Sequence, residues 1–212
     1  MEPVWLIDCD NTLYPSGNGL FDRVNALIID YMTHVVGIAP EAVNPLRIEY
    51  WREYGLTMGG LVSRHGVDAE HYLKYVHEVP IEEFLSEDKG LREMLSSLPG
   101  KKHVFTNATT EHARRVTDAL GITGVFDSFM DIRFFDMIPK PKTHGYQKAL
   151  YLLGKNPEEV WFVEDDLMNV KTGNDLGMKT VLVGKTGGAG QLSIEKIGDL
   201  GALWKGVRQN RA

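Results

Sequence analysis

The sequence predicts an α/β protein: a parallel β-sheet flanked by helices, with a small helical domain inserted after the first strand. Three observations carry this expectation. A short apolar run near the start, Val4-Trp5-Leu6-Ile7, ends in acid at Asp8 and Asp10. A long stretch with helical spacing and no convincing strand follows. Beyond Pro99-Gly100, short apolar runs alternate with helical segments, the rhythm of β-α units joined by right-handed crossovers.

Taken in order, residues 3–7 read as the first strand. Phe21, Val24, Ile28, Tyr31, Met32 and Val35 recur at helical spacing, with Gly37 as a stop signal. Residues 41–54 read as a second helix, with Pro45 near its start and Gly55 after it. Gly59-Gly60 marks a turn or a tight helix contact, and more helix is expected over 61–64, 69–77 and 90–97. Strands follow at 103–105, 129–132, 160–163 and 180–183. Helices are expected at 111–120, 143–153 and 169–176, each followed by glycine at 121, 154 and 177. The stretch 184–212 is glycine-rich and then weakly helical. The expected division is a core of residues 1–13 and 89–212, with a helical cap of residues 14–88. An insertion placed directly behind a site-bearing strand can fold over that site as a lid.

Bulk properties exclude several classes of function. The 212 residues carry 43% hydrophobic and 25% charged side chains, ordinary values for a globular chain. Net charge is −6 and no Lys/Arg block occurs, so no nucleic-acid partner is expected. The single cysteine rules out an intrachain disulfide. No apolar run approaches a membrane span and no signal-like segment is apparent, so a cytoplasmic protein without membrane association is expected. The seven histidines show no HxH or HExxH spacing, which argues against zinc.

Candidate chemistry collects at predicted strand ends. Side chains two apart on an extended chain point the same way, so Asp8 and Asp10 can converge while Cys9 turns away. Two carboxylates at the end of an apolar strand are costly unless a cation or a reaction uses them; an Asx turn is the alternative. Thr106-Asn107 follows the strand ending at Phe105 and also suits a helix cap. Lys140 precedes Pro141 and a helix. Glu164-Asp165-Asp166 follows the strand ending at Val163, with Asn169 one turn on; acids there also suit a helix N-terminus. Together these supply two acid sites, a hydroxyl and a cation at the sheet end where open α/β folds place their chemistry.

This set resembles the haloacid dehalogenase-like hydrolase superfamily, and the resemblance covers nearly the whole chain. It rests on Asp8-Cys9-Asp10-Asn11-Thr12-Leu13-Tyr14, Thr106-Asn107, Lys140-Pro141 and Glu164-Asp165-Asp166 with Asn169, and on the helical insertion after the first of these. Within the superfamily the chain looks most like the pyrimidine 5′-nucleotidase-like group, through Asp10-Asn11-Thr12-Leu13-Tyr14-Pro15, Tyr54-Gly55-Leu56, Tyr75-Val76-His77-Glu78 and Phe105-Thr106-Asn107-Ala108. One departure is the run Glu164-Asp165-Asp166, where the group tends to have two aspartates and a serine.

The resemblance implies a Rossmann-like core and a Mg²⁺-dependent phosphomonoesterase. Its implied catalytic residues are Asp8 as nucleophile, Asp10 as proton carrier, Thr106 and Lys140. The implied metal set is Asp8, Asp165 and the main-chain carbonyl of Asp10, with Glu164, Asp166 and Asn169 in support. Substrate contacts are expected from Thr106, Asn107 and Lys140, and from Tyr14 and Arg52, whose ring and guanidinium suit a base or a second phosphate. The implied substrate is a small phosphorylated metabolite, first a nucleoside monophosphate such as UMP or CMP. Alternatives are a sugar phosphate, phosphoglycolate or pyridoxal phosphate. A silent binding protein and a phosphomutase are more distant readings.

Overall fold

Six parallel strands order themselves β3-β2-β1-β4-β5-β6 in a computed structural model describing residues 2–185, 187–188 and 190–209. They are β1 (Val4–Ile7), β2 (Lys101–Phe105), β3 (Ser128–Met130), β4 (Val160–Glu164), β5 (Lys179–Val183) and β6 (Leu192–Ile194). The nine helices assigned among the described residues are α1 (Leu20–Asp30), α2 (Pro40–Tyr54), α3 (Thr57–His65), α4 (Ala69–Val76), α5 (Lys89–Ser97), α6 (Thr110–Ala119), α7 (Thr143–Leu153), α8 (Leu167–Asp175) and α9 (Leu200–Gln209). The expected α/β class with a parallel sheet is what the chain adopts.

The chain divides into two compact units, one of residues 1–18 and 85–212 and one of residues 19–84. In the first, β1 lies between β2 and β4, paired Ile7 with Val104 and Ile7 with Val163. All four β1 residues are buried, as the continuous apolar run of a central parallel strand requires. Strand order reverses direction at β1, the topological position at which such sheets place ligands. Trp5 and Trp161 are register partners. With Trp204 they form a cluster of ring centroids 5.2–5.4 Å apart, and the Trp5 indole donates to the Pro99 carbonyl at 2.9 Å. On the opposite face Phe105, Phe135, Tyr146 and Phe162 pack at 4.7–5.7 Å, edge to face except for the tilted Phe105–Phe135 pair.

The second unit is helical. Tyr31 sits at its centre, its hydroxyl 2.8 Å from His71 Nδ1 and its ring against Tyr72 and Tyr75. The Tyr50 hydroxyl lies 2.7 Å from His65 Nε2, and Met58 is buried.

Three details depart from the expectation, and one open alternative is decided. The first long helix changes pitch after Asp30 and continues as a π segment over Tyr31–Val35. Of the two readings of Gly59-Gly60, the tight helix contact holds: both lie inside α3, where the missing side chains let the helix close on Tyr54 and Tyr50. The third strand is centred nearer Phe129, at Ser128–Met130. The glycine-rich stretch contains a strand, β6, paired with β5. Met1, Thr186, Ala189 and residues 210–212 of the expected core lie outside the described residues. Among the described residues no single helix is long and apolar enough to cross a membrane.

Candidate active site

The site starts from sheet register. One residue beyond the Ile7–Val163 pair, Asp8 and Glu164 stand side by side on the same face, because in-register parallel neighbours alternate together. The Asp8 N–H still donates to the Val163 carbonyl at 2.9 Å. The chain then turns: Asn11 adopts φ 60°, a left-handed conformation that Asn tolerates, and the Leu13 N–H returns to the Cys9 carbonyl at 2.9 Å. Cys9 faces away and is fully buried.

Lys140 enters from the loop before α7 and lies between the two acids. Its Nζ donates to Asp8 Oδ1 at 2.7 Å, Glu164 Oε2 at 2.7 Å and the Phe105 carbonyl at 2.8 Å. All three of its donors are therefore spent on protein. The lysine expected at the substrate thus grips the nucleophile candidate. Asn107 fixes the loop, its Oδ1 accepting from the Lys140 N–H at 2.8 Å and its Nδ2 donating to the Lys140 carbonyl at 3.1 Å. Its side chain, expected at the substrate, thus holds the Lys140 main chain on both sides. Thr106 Oγ1 accepts from the Ala108 N–H at 3.0 Å and so keeps its own O–H as a donor.

Glu164 carries further bonds. Oε1 accepts the N–H groups of Asp165 and Asp166, both at 3.1 Å, and Oε2 accepts Asn169 Nδ2 at 3.1 Å. Asp166 caps α8 by accepting from the Met168 and Asn169 N–H groups, so it aligns Asn169 at the helix start. Lys185 donates to the Asp165 carbonyl at 2.8 Å; no local sequence signal distinguishes this lysine.

Charge balance explains the electrostatics. Two buried carboxylates share one ammonium. Burial pushes Asp8 up and Glu164 adds to it, while Lys140 pulls it down; the net direction is up. Glu164 is pushed up by burial against the pull of Lys140. Asp165 rises to about 6 through burial and the charge of Asp8. Burial alone would lower Lys140, but Asp8 and Glu164 outweigh it and hold the ammonium well above its ordinary value. Carboxylate oxygens of Asp8, Glu164 and Asp165 lie within 4.8 Å of one another. Three hard oxygen donors suit a magnesium-sized cation. Glu164, expected only in support, is part of this cluster. The Asp10 carboxyl is not, which leaves its main-chain carbonyl as the group it was expected to offer.

Asp10 has a different setting. Its Oδ1 accepts from the Tyr14 hydroxyl at 2.6 Å and lies 2.8 Å from His112 Nε2. Tyr14, expected to meet substrate, is buried at 2% exposure; its hydroxyl is spent on Asp10. Burial and the Asp10 charge hold its phenol far above the usual range, so it remains a donor. Arg52 is exposed on α2 in the helical unit.

Residues 4–177 match the family described as haloacid dehalogenase-like hydrolase. The chain belongs to that family. Among curated relatives of this haloacid dehalogenase-like hydrolase is Phosphate metabolism protein 8 of Saccharomyces cerevisiae, 27% identical over 194 residues, covering 84% of this chain. The chain spans 60% of that relative's length. The L-2-haloacid dehalogenase of Xanthobacter autotrophicus with chloropropionic acid covalently bound superposes with a TM-score of 0.62 at 16% identity, covering 97% of this chain and 99% of that one. The Bacillus subtilis HAD-hydrolase YfnB bound to magnesium does so with a TM-score of 0.61 at 15% identity, covering 95% and 98%. His112 was invisible to motif reading in this haloacid dehalogenase-like hydrolase. The signal that could have found it is position: it falls on the first turn of the helix that follows Thr106-Asn107, at the same end of the sheet.

Proposed function

We propose that the chain is a Mg²⁺-dependent phosphomonoesterase acting through an aspartyl-phosphate, with pyrimidine nucleoside 5′-monophosphates such as UMP and CMP as its substrates. The observation that carries this reading is the unequal setting of Asp8 and Asp10. Asp8 is gripped by Lys140, whose charge and hydrogen bond pull against the rise that burial and Glu164 impose and so favour the ionised, nucleophilic carboxylate. Asp10 sits in a separate hydroxyl and imidazole setting, as a proton carrier requires. A halide departs without a proton; an alkoxide needs one. An acid two residues after the nucleophile therefore favours ester hydrolysis over dehalogenation.

In the first step Asp8 attacks phosphorus, the phosphorus–ester oxygen bond breaks, and Asp10 protonates the departing oxygen. In the second, water attacks phosphorus, its proton passes to Asp10, and the bond to Asp8 breaks with release of phosphate. The Thr106 hydroxyl and neighbouring N–H groups bind phosphate oxygens. Lys140 offsets charge at Asp8 throughout. Asp8, Asp165 and the Asp10 carbonyl would hold magnesium, with Glu164 beside them. When bound it supplies the positive charge that lets a carboxylate approach a phosphate dianion. The magnesium-bound YfnB supports that choice of ion. The nucleotide substrate is supported by the local matches at residues 10–15, 54–56, 75–78 and 105–108; the phosphate-metabolism relative supports phosphate chemistry in general. In this reading residues 14–88 are a cap that selects the substrate and the remainder carries the chemistry.

A panel of phosphomonoesters with Mg²⁺ tests this. UMP and CMP are expected to be turned over ahead of sugar phosphates, phosphoglycolate and pyridoxal phosphate, and Asp8→Asn to abolish turnover. Equal rates across the panel would remove the nucleotide assignment; wild-type activity in Asp8→Asn would remove the nucleophile.

A further inference from the structure

A buried titratable side chain beside Asp10 has no part in the mechanism. His112 is wholly buried, whereas the Asp10 side chain it meets is 14% exposed. The helix start places it: Thr109 caps α6 by accepting the His112 N–H at 3.2 Å. The loop that carries Thr106 thus also sets the histidine. Nε2 lies 2.8 Å from Asp10 Oδ1, and the Tyr14 hydroxyl donates to the same oxygen at 2.6 Å. A carboxylate only accepts, so the imidazole is the donor. Two donors converging on one oxygen fix the rotation of the carboxyl about its last bond, and leave its second oxygen the one to carry a proton.

We propose that His112 is a positioning residue for Asp10, holding its carboxyl, together with Tyr14, in the orientation from which a proton reaches the departing oxygen. This rests on the phosphomonoesterase reading above. The proton moves from the Asp10 carboxyl to the ester oxygen as the phosphorus–oxygen bond breaks, and a water proton later restores it. The imidazole keeps its own proton throughout.

The test uses the full chain with Mg²⁺ and two esters. One is p-nitrophenyl phosphate, whose leaving group needs little protonation. The other is a primary-alkyl phosphate from the panel, whose leaving group needs much. His112→Ala is expected to lower kcat on the alkyl ester about 100-fold, the scale of a misplaced reacting group. On the nitrophenyl ester the fall should be less than about tenfold, with KM on both esters within about twofold. His112→Gln, which can offer a side-chain N–H at a similar reach, should recover most of the loss. In an Asp10→Asn background, His112→Ala should cost nothing further, because the two act as one unit. Equal losses on both esters, no recovery in His112→Gln, or losses that multiply with Asp10→Asn would overturn the assignment. Should His112→Ala fail to fold, Tyr14→Phe decides: it removes only a hydroxyl and must show the same leaving-group selectivity. A wild type inactive on every phosphomonoester would instead overturn the reading beneath.

Discussion

Lys140 is 2% exposed and bridges Asp8 to Glu164, with its ammonium 5.5 and 5.6 Å from the ring centres of Phe105 and Phe162. Removing it strands two buried carboxylates. Breaking a buried ion pair from one side costs about 3–5 kcal/mol, so Lys140→Met should lose roughly that stability in denaturant titration, along with turnover. Adding Glu164→Gln removes one stranded charge and should restore more than about 1 kcal/mol, a coupling that separate sites would not show. If the two losses simply add, the bridge is not a unit. At this scale the sequence was readable wherever a polar residue ended an apolar strand: Asp8, Thr106 and Glu164 announce themselves that way. It was unreadable where a partner comes from a distant segment. Nothing beside Asn107 says that its amide clamps the Lys140 backbone. Nothing beside Tyr14 says that its ring is core and its hydroxyl belongs to Asp10.

Packing of α2 on α3 depends on two glycines. A Cβ on Gly60 would stand 2.0 Å from Tyr50 Cγ, and one on Gly59 would stand 2.5 Å from Tyr54 Cβ. Tyr50 is buried and bonded to His65, so it cannot swing aside cheaply. Gly60→Ala should therefore destabilise by about 1–3 kcal/mol, the range for overpacking. Gly124→Ala, with nothing within 4 Å of the added carbon, should stay within about 0.5 kcal/mol of wild type. Equal melting temperatures for the two variants would contradict the close approach. The adjacent glycines could be read from sequence as either turn or contact, since both exploit a missing Cβ; only the facing tyrosines decide between them. Strand β6 escaped for a related reason. Its three residues, Leu192-Ser193-Ile194, offer one turn of alternation after a glycine-rich run, too little for periodicity to register. The buried strands β1, β4 and β5 were legible because their apolar runs are continuous.

For the whole molecule, the acidic site makes stability depend on pH. Asp8, Glu164 and Asp165 hold protons more tightly folded than unfolded. Their contribution is fully present below the unfolded value of about 4. It is lost as pH rises toward about 7 for Asp8 and Glu164 and about 6 for Asp165. Asp131, whose bonds from the Phe134 and Thr110 N–H groups outweigh burial, titrates below that window. His103, lowered by burial, contributes in the opposite sense. Metal-free wild type should therefore lose more stability from pH 5 to pH 8 than Asp165→Asn does, in paired denaturant titrations. Excess Mg²⁺ should offset the loss, as a ligand of the folded state must. An equal loss in the variant, or no effect of Mg²⁺, would contradict the charge assignment. The four tryptophans of the chain have a use beyond packing. Trp5, Trp161 and Trp204 cluster in the α/β unit, while Trp51, 49% exposed, belongs to the helical one. The protein thus carries two native fluorophore populations in different environments. A Trp51→Phe chain would report on the α/β unit alone, and its difference spectrum from wild type would report on the helical unit alone, without any attached dye.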